Sequence, residues 1–125
     1  MRIYLAGKWG DRTSIRKIMN RLTEQKHEIT HVWPDNEDVK DTPDELGECA
    51  RLDIEGVRNA EVVIVLMTDP KYAYRGSFTE VGAALALGKP LYIVCPFKDG
   101  YCKTNCFFWH PGIIHVNSLK DVPGI

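Results

Sequence analysis

Residues 61–96 read EVVIVLMTDPKYAYRGSFTEVGAALALGKPLYIVCP. The stretch opens on an uninterrupted apolar run, residues 62–67, and closes on a second one within PLYIVCP. Both are rich in β-branched residues and too short for a free-standing helix, so each is expected to form a buried strand. Between them the pattern is helical. Ser77 followed three residues later by Glu80 has the form of a capping box, and Gly88 with Pro90 is a stop signal. Strands without charge on either face require a sheet covered on both sides. This strand–helix–strand unit therefore sets the expectation of layers.

The flanking sequence extends the alternation. RIYLAG (2–7) reads as a strand ending at Gly7. Asp11 is placed to cap a helix carrying Ile15, Ile18, Met19 and Leu22 on one face. EITHVW (28–33) reads as a second strand, PDNEDVKDTPDE (34–45) as a polar loop, and residues 43–59 as a helix. After PLYIVCP come a long loop, FKDGYCKTNCFFWH (97–110), and a last strand, GIIHV (112–116). The order β-α-β-α-β-α-β-loop-β predicts a three-layer α/β/α sandwich. Its five-stranded, mainly parallel sheet would be of the flavodoxin or Rossmann type.

Length and composition agree with one domain over residues 1–125. A chain of 125 residues with 44% hydrophobic and 26% charged residues buries roughly two thirds of its unfolded surface without metal or disulfide staples. The net charge of −1 is spread evenly, which speaks against a nucleic-acid polymer or a membrane as partner. No apolar run is long enough to span a bilayer. Charges at Lys8, Asp11 and Arg12 are unlike a secretory leader. The four cysteines, Cys49, Cys95, Cys102 and Cys106, are accordingly expected as reduced thiols of a cytoplasmic protein.

In open α/β sheets ligands bind beyond the C-terminal strand ends, at the topological switch point. Residues 6–12, Trp33, residues 68–77 and residues 96–109 are expected there. Glu80 would border the crevice from the first helical turn. Asp53 lies on the same helical face as Leu46, Ala50, Ile54 and Val57. It is either a half-buried carboxylate paired to a loop or a polar group aimed at a ligand. Glu80 is either a helix cap or a functional carboxylate that the helix terminus keeps ionised. Lys8 and Arg75 are solvated loop charges or phosphate contacts. Cys102, Cys106, His110 and His115 have a spacing unlike the usual structural zinc sites, so no metal is expected. Phe107, Phe108 and Trp109 form core, a subunit contact or a stacking platform.

Four stretches, in this order and spacing, resemble the nucleoside 2-deoxyribosyltransferase family, which includes nucleotide N-glycoside hydrolases. They are IYLAGKWGDR, RLDIEGVRNAEVVIVLM, GSFTEVGAALALGKPLYIV and NCFFW with IIHVNSLKDV. The third looks like the family's G-[ST]-x-x-E-x-G-x-A signature. The resemblance implies Glu80 as a nucleophile that forms a covalent glycosyl-enzyme at the anomeric carbon. It also implies Asp53 as the orienting carboxylate and Tyr4 as the hydroxyl bonded to Glu80. Asn105 would be contributed to a neighbouring subunit's site, hence at least a homodimer. Gly7, Trp9, Asp69, Tyr74, Arg75, Gly76, Ser77 and Phe107 complete the expected substrate-binding set. No cofactor is implied.

The chain departs from the family pattern at Tyr74, where many transferases carry an Asp six residues before the Glu. Neighbouring Arg75 would suit a phosphorylated substrate. The leading expectation is transfer of a 2-deoxyribosyl group between bases. The alternatives are hydrolysis of a nucleoside 5′-monophosphate with the same Glu80, a non-catalytic nucleotide-binding module, and a zinc-stabilised interaction domain.

Overall fold

The computed structural model describes residues 1–35 and 41–125. The strands are β1 (Arg2–Gly7), β2 (Glu28–Ile29), β3 (Val62–Leu66), β4 (Leu91–Val94) and β5 (Ile113–Val116). The helices are α1 (Arg12–Glu24), α2 (Pro43–Asn59) and α3 (Arg75–Ala86). The sheet order is β2-β1-β3-β4-β5, and every neighbouring pair is parallel. The expected three-layer α/β fold is present, with the parallel arrangement complete. The chain leaves β1 toward β2 on one side and returns to β3 on the other, so the switch point lies between β1 and β3.

Strand parity assigns the two cores. Tyr4, Ala6, Val63 and Val65 face Val57 of α2 and Phe78, Val81 and Ala84 of α3. Ile3, Leu5, Ile64 and Leu66 face Ile15, Met19 and Leu22 of α1. Alternate residues of one strand point to opposite faces, so a strand buried on both sides must be apolar throughout. β3 is buried at all five positions. Gly7 closes β1 because a Cβ there would stand 2.5 Å from Ile15 Cδ1, so the absent side chain lets α1 pack tightly on the strand.

Three local expectations are corrected. β2 covers only Glu28–Ile29, and Trp33 begins a short 3-10 turn. The Trp33 indole N–H donates to Leu5 O at 2.7 Å, so the aromatic ring anchors the chain where further ladder would have run. Asp11 stands at the α1 N-cap position without a capping side-chain bond. Its carboxylate accepts instead from the Thr68 hydroxyl across the crevice. The apolar face of α2 is buried only in its second half. Val57 is buried, Ile54 half-buried, Ala50 exposed and Leu46 52% exposed. Seventeen residues of helix run about 25 Å, against roughly 17 Å for a five-residue strand. The first turns of α2 overhang the sheet on the crevice side.

Of the polar loop over 34–45, positions 36–40 lie outside the described residues. Among the described residues no helix is long and apolar enough to cross a membrane. Cys95, Cys102 and Cys106 are free thiols, Cys95 and Cys102 buried and Cys106 exposed.

Candidate functional site

Parity places Tyr4 in the middle of β1 facing the α2/α3 layer, with 1% of its surface exposed. Its ring meets α2 at Gly56, where a Cβ would lie 2.8 Å from two ring carbons and 2.9 Å from His31 Cβ. That helix glycine costs roughly 1 kcal/mol in propensity and lets α2 approach closely. One turn earlier on α2, Asp53 comes level with the tyrosine hydroxyl. Tyr4 Oη donates to Asp53 Oδ1 at 3.2 Å. The same oxygen contacts His31 Nδ1 at 3.0 Å. His31 follows β2, and its Thr30 neighbour is fixed by a hydroxyl bond to Gly56 O at 2.7 Å.

Glu80 approaches from α3, and its carboxylate also lies against the Tyr4 hydroxyl. Tyr4 thus stands between two carboxylates with one proton to give. Burial is the main reason its own ionisation is driven far upward, and the charges of Glu80 and Asp53 add to it. The Glu80 pKa is pushed up to about 8, first by burial and then by the Asp53 charge. The Tyr4 hydrogen bond pulls the other way. Among the described residues, Glu80 Oε2 is a buried oxygen without a hydrogen-bond partner. An unpaired buried polar oxygen costs roughly 1–3 kcal/mol, so this open carboxyl oxygen is held at the expense of stability.

The capping-box expectation is corrected. The N-cap of α3 is Tyr74, in the left-handed conformation with φ 56°, and no side chain caps the helix. Ser77 is the third helical residue and Glu80 the sixth, so Glu80 lies in the second turn. The helix-terminus field falls off within the first turn, and burial outweighs it. The expected ionised ground state is replaced by a carboxyl that titrates near 8.

Tyr74 is corrected as well. It is fully buried, and its hydroxyl accepts the backbone N–H groups of Thr68 at 2.7 Å and Asp69 at 2.9 Å. It organises the β3–α3 loop from beneath and presents no side chain to the crevice. Asp69 is tied to Lys8 Nζ at 3.0 Å and accepts from the Lys71 N–H at 2.9 Å. The Lys71 amide first, and the Lys8 ammonium second, hold Asp69 below the usual carboxylate range. The Lys8–Asp69 pair and the Asp11–Thr68 bond therefore link the β1 and β3 loops across the switch point.

Of the remaining expected residues, Arg75 and Gly76 are exposed at the start of α3, and Ser77 is buried beside them. A Cβ on Gly76 would meet nothing within 4 Å, which leaves the backbone open to a ligand. Trp9 is 45% exposed and packs against Trp33 with ring centroids 6.0 Å apart. Asn105 and Phe107 belong to the loop after β4, two strands away. There the Asn105 side chain accepts from the Phe107 N–H at 2.9 Å and starts a 3-10 turn. Phe107 is exposed. Among the described residues, no group of three or more His, Cys, Asp or Glu could hold a metal ion.

The structure thus gathers Tyr4, Asp53 and Glu80 and adds His31, which the sequence reading did not single out. The only sequence signal for His31 was an imidazole at the end of the EITHVW segment, and for Gly56 a glycine inside a helical pattern.

A model of the family described as nucleoside 2-deoxyribosyltransferase matches residues 3–115. The chain belongs to this family. The match takes in all four network residues and the loop bearing Asn105. No protein of curated function matches the sequence. The fold is similar to that of the Clostridium botulinum CMP N-glycosidase BcmB. That likeness has a TM-score of 0.61 at 19% identity and covers 93% of this chain and 87% of that one. The family supports an N-glycosidic enzyme acting on small nucleosides or nucleotides.

Proposed function

We propose that the protein is a nucleoside 2-deoxyribosyltransferase that cleaves the N-glycosidic bond of 2′-deoxynucleosides through a covalent intermediate on Glu80. The observation that carries this reading is the Glu80 carboxylate itself. Its Oε2 is buried and without a partner among the described residues, and the carboxylate is flanked by the Tyr4 hydroxyl and Asp53. A helix cap needs none of these neighbours.

In the first step a Glu80 oxygen forms a bond to C1′ as the C1′–N bond breaks. The bonding pair, and a proton, leave with the base. In the second step an acceptor base attacks C1′ and Glu80 departs as carboxylate, while the acceptor's N–H proton returns to the group that protonated the first base, so the anomeric configuration is retained overall. Tyr4 directs one Glu80 oxygen. Asp53, held by Tyr4 and His31, orients the sugar or moves the base proton. Trp9, Gly76 and Ser77 line the approach, while Asn105 and Phe107 are supplied across a homodimer.

A second reading is hydrolysis of a nucleoside 5′-monophosphate by the same Glu80. The exposed Arg75 at the open start of α3 favours it, as does the CMP N-glycosidase activity named for the structurally similar protein. Product analysis with and without an acceptor base separates the two. A new nucleoside formed only with acceptor supports transfer. Free sugar or sugar phosphate, formed at a rate indifferent to acceptor, overturns it. Binding without turnover, equal in the native protein and in Glu80→Ala, would leave only a nucleotide-binding module.

A further inference from the structure

A cavity of about 430 Å³ opens beyond the C-terminal ends of β4 and β5. It lies on the far side of β3 from the switch point, and none of Tyr4, His31, Asp53 or Glu80 lines it. Its size falls in the range of small-molecule sites. We propose that this cavity is a second ligand site, which takes a planar aromatic ring bearing a phosphate, a mononucleotide-class ligand.

The lining supports both halves of that ligand. Lys98 and Lys103 line the cavity, and among the described residues no Asp or Glu does. The whole chain carries 16 basic and 17 acidic residues, so two cations without a counter-charge mark a local departure that favours an anion. Lys103 Nζ is already placed. It donates to Lys98 O at 2.6 Å and sits 6.0 Å and 5.8 Å from the Phe97 and Phe108 ring centroids. The Lys98 ammonium is exposed and has no ion pair among the described residues.

The ring half rests on Phe97, Phe108, Trp109 and His115. Phe108 is buried and packs on His115 at 4.4 Å, with Trp109 edge-on at 4.9 Å. Trp109 remains 60% exposed although its indole N–H is fixed to Lys103 O at 2.8 Å. An immobilised but exposed indole suits stacking, because little side-chain freedom is left to lose. His115 Nε2 donates to Phe108 O at 2.8 Å, which leaves Nδ1 as the ring's acceptor. Phe97 is seated by Gly100, where a Cβ would lie 2.6 Å from its ring. The Tyr101 N–H bond to Pro70 O, at 2.9 Å, ties this loop to the β3–α3 loop.

The test does not depend on Glu80 chemistry. Glu80→Gln protein is titrated with uridine 5′-monophosphate, uridine and inorganic phosphate, and the Trp109 indole and His115 resonances are followed by NMR. The nucleotide is expected to shift both signals and to bind about tenfold more tightly than either fragment. Trp109→Ala is expected to weaken this binding about tenfold, and Lys98→Gln to weaken it and flatten its salt dependence. In a background with Glu80 intact, Lys98→Gln leaves kcat/KM unchanged.

Saturation at one nucleotide per protomer, or nucleotide shifts confined to Trp9 and Trp33, would overturn the proposal, because the switch-point site alone would then account for the binding. Equal affinity for phosphate and nucleotide would overturn it in favour of an anion-only site. So would self-association that buries Trp109 and abolishes the response.

Discussion

Tyr4 is the residue on which the site turns, because its single proton lies between two carboxylates and cannot satisfy both at full strength. Its bond to Glu80 favours the ionised carboxylate and works against burial. With Glu80 as nucleophile, kcat/KM should climb about tenfold per pH unit below a limb near 8. Tyr4→Phe should move that limb to higher pH. A limb at the ordinary carboxylate value would mean that burial does not hold Glu80 protonated at neutral pH. The same titration governs stability. The folded Glu80 pKa, about 8, lies above its ordinary value of 4.5, so the folded state binds the proton more tightly. That contribution is complete below 4.5 and is lost as pH rises through 8. Glu80→Gln should therefore gain stability over the native protein between pH 5 and pH 9, by roughly 3–4 kcal/mol at the alkaline end. Denaturant melts at the two pH values measure it.

At the scale of elements, two packing devices hold the network in place. Gly56 allows α2 to lie on the Tyr4 ring. Gly56→Ala should destabilise the fold by about 1–3 kcal/mol through overpacking and push Asp53 away from Tyr4. It should therefore lower kcat more than the loss of folded protein accounts for, as activity measured per folded molecule would reveal. The β3–α3 loop hangs on the Tyr74 hydroxyl, which accepts two backbone N–H groups. Tyr74→Phe leaves both donors without that acceptor and should cost about 1–3 kcal/mol. Because the side chain is buried beneath the loop, the change should act on stability and loop order, with base preference unaltered. Substrate profiling of the variant checks this. A changed preference would return Tyr74 to the substrate-facing set.

At the scale of the whole molecule, the site lies where the topology reverses, between β1 and β3, beneath the overhanging first turns of α2. Leu46 and Ala50 are left exposed on that overhang, as are Tyr101, Phe107 and Trp109 on the loop after β4. The proposed homodimer gives Asn105 a role in the neighbouring site. Mixing Glu80→Gln with Asn105→Ala protomers should then restore partial activity, since one mixed site carries both native residues. Absence of complementation in a verified mixed dimer would confine Asn105 to its own chain, as the cap of its 3-10 turn.

The alternation of apolar runs and helical stripes was enough to determine the layers, the parallel sheet and the order of elements. Burial on both faces forces continuous hydrophobicity on β3 and β4, and nothing else in the chain competes with that pattern. The signature around Glu80, with Tyr4 and Asp53 at matching places, made three of the four network residues legible. Tertiary structure alone decided the rest. His31 joined the network because β2 stops early and its successor folds over α2, a contact across 22 residues that no local spacing encodes. Ser77-x-x-Glu80 has the spacing of a cap, yet a left-handed Tyr74 starts the helix earlier and moves Glu80 into the second turn. In sequence Tyr74 reads as a substrate contact, whereas in the fold its hydroxyl is the acceptor for the Thr68 and Asp69 amides of the β3–α3 loop. The protonation of Glu80 is likewise set by desolvation and by the Asp53 charge, which exist only once three distant segments meet.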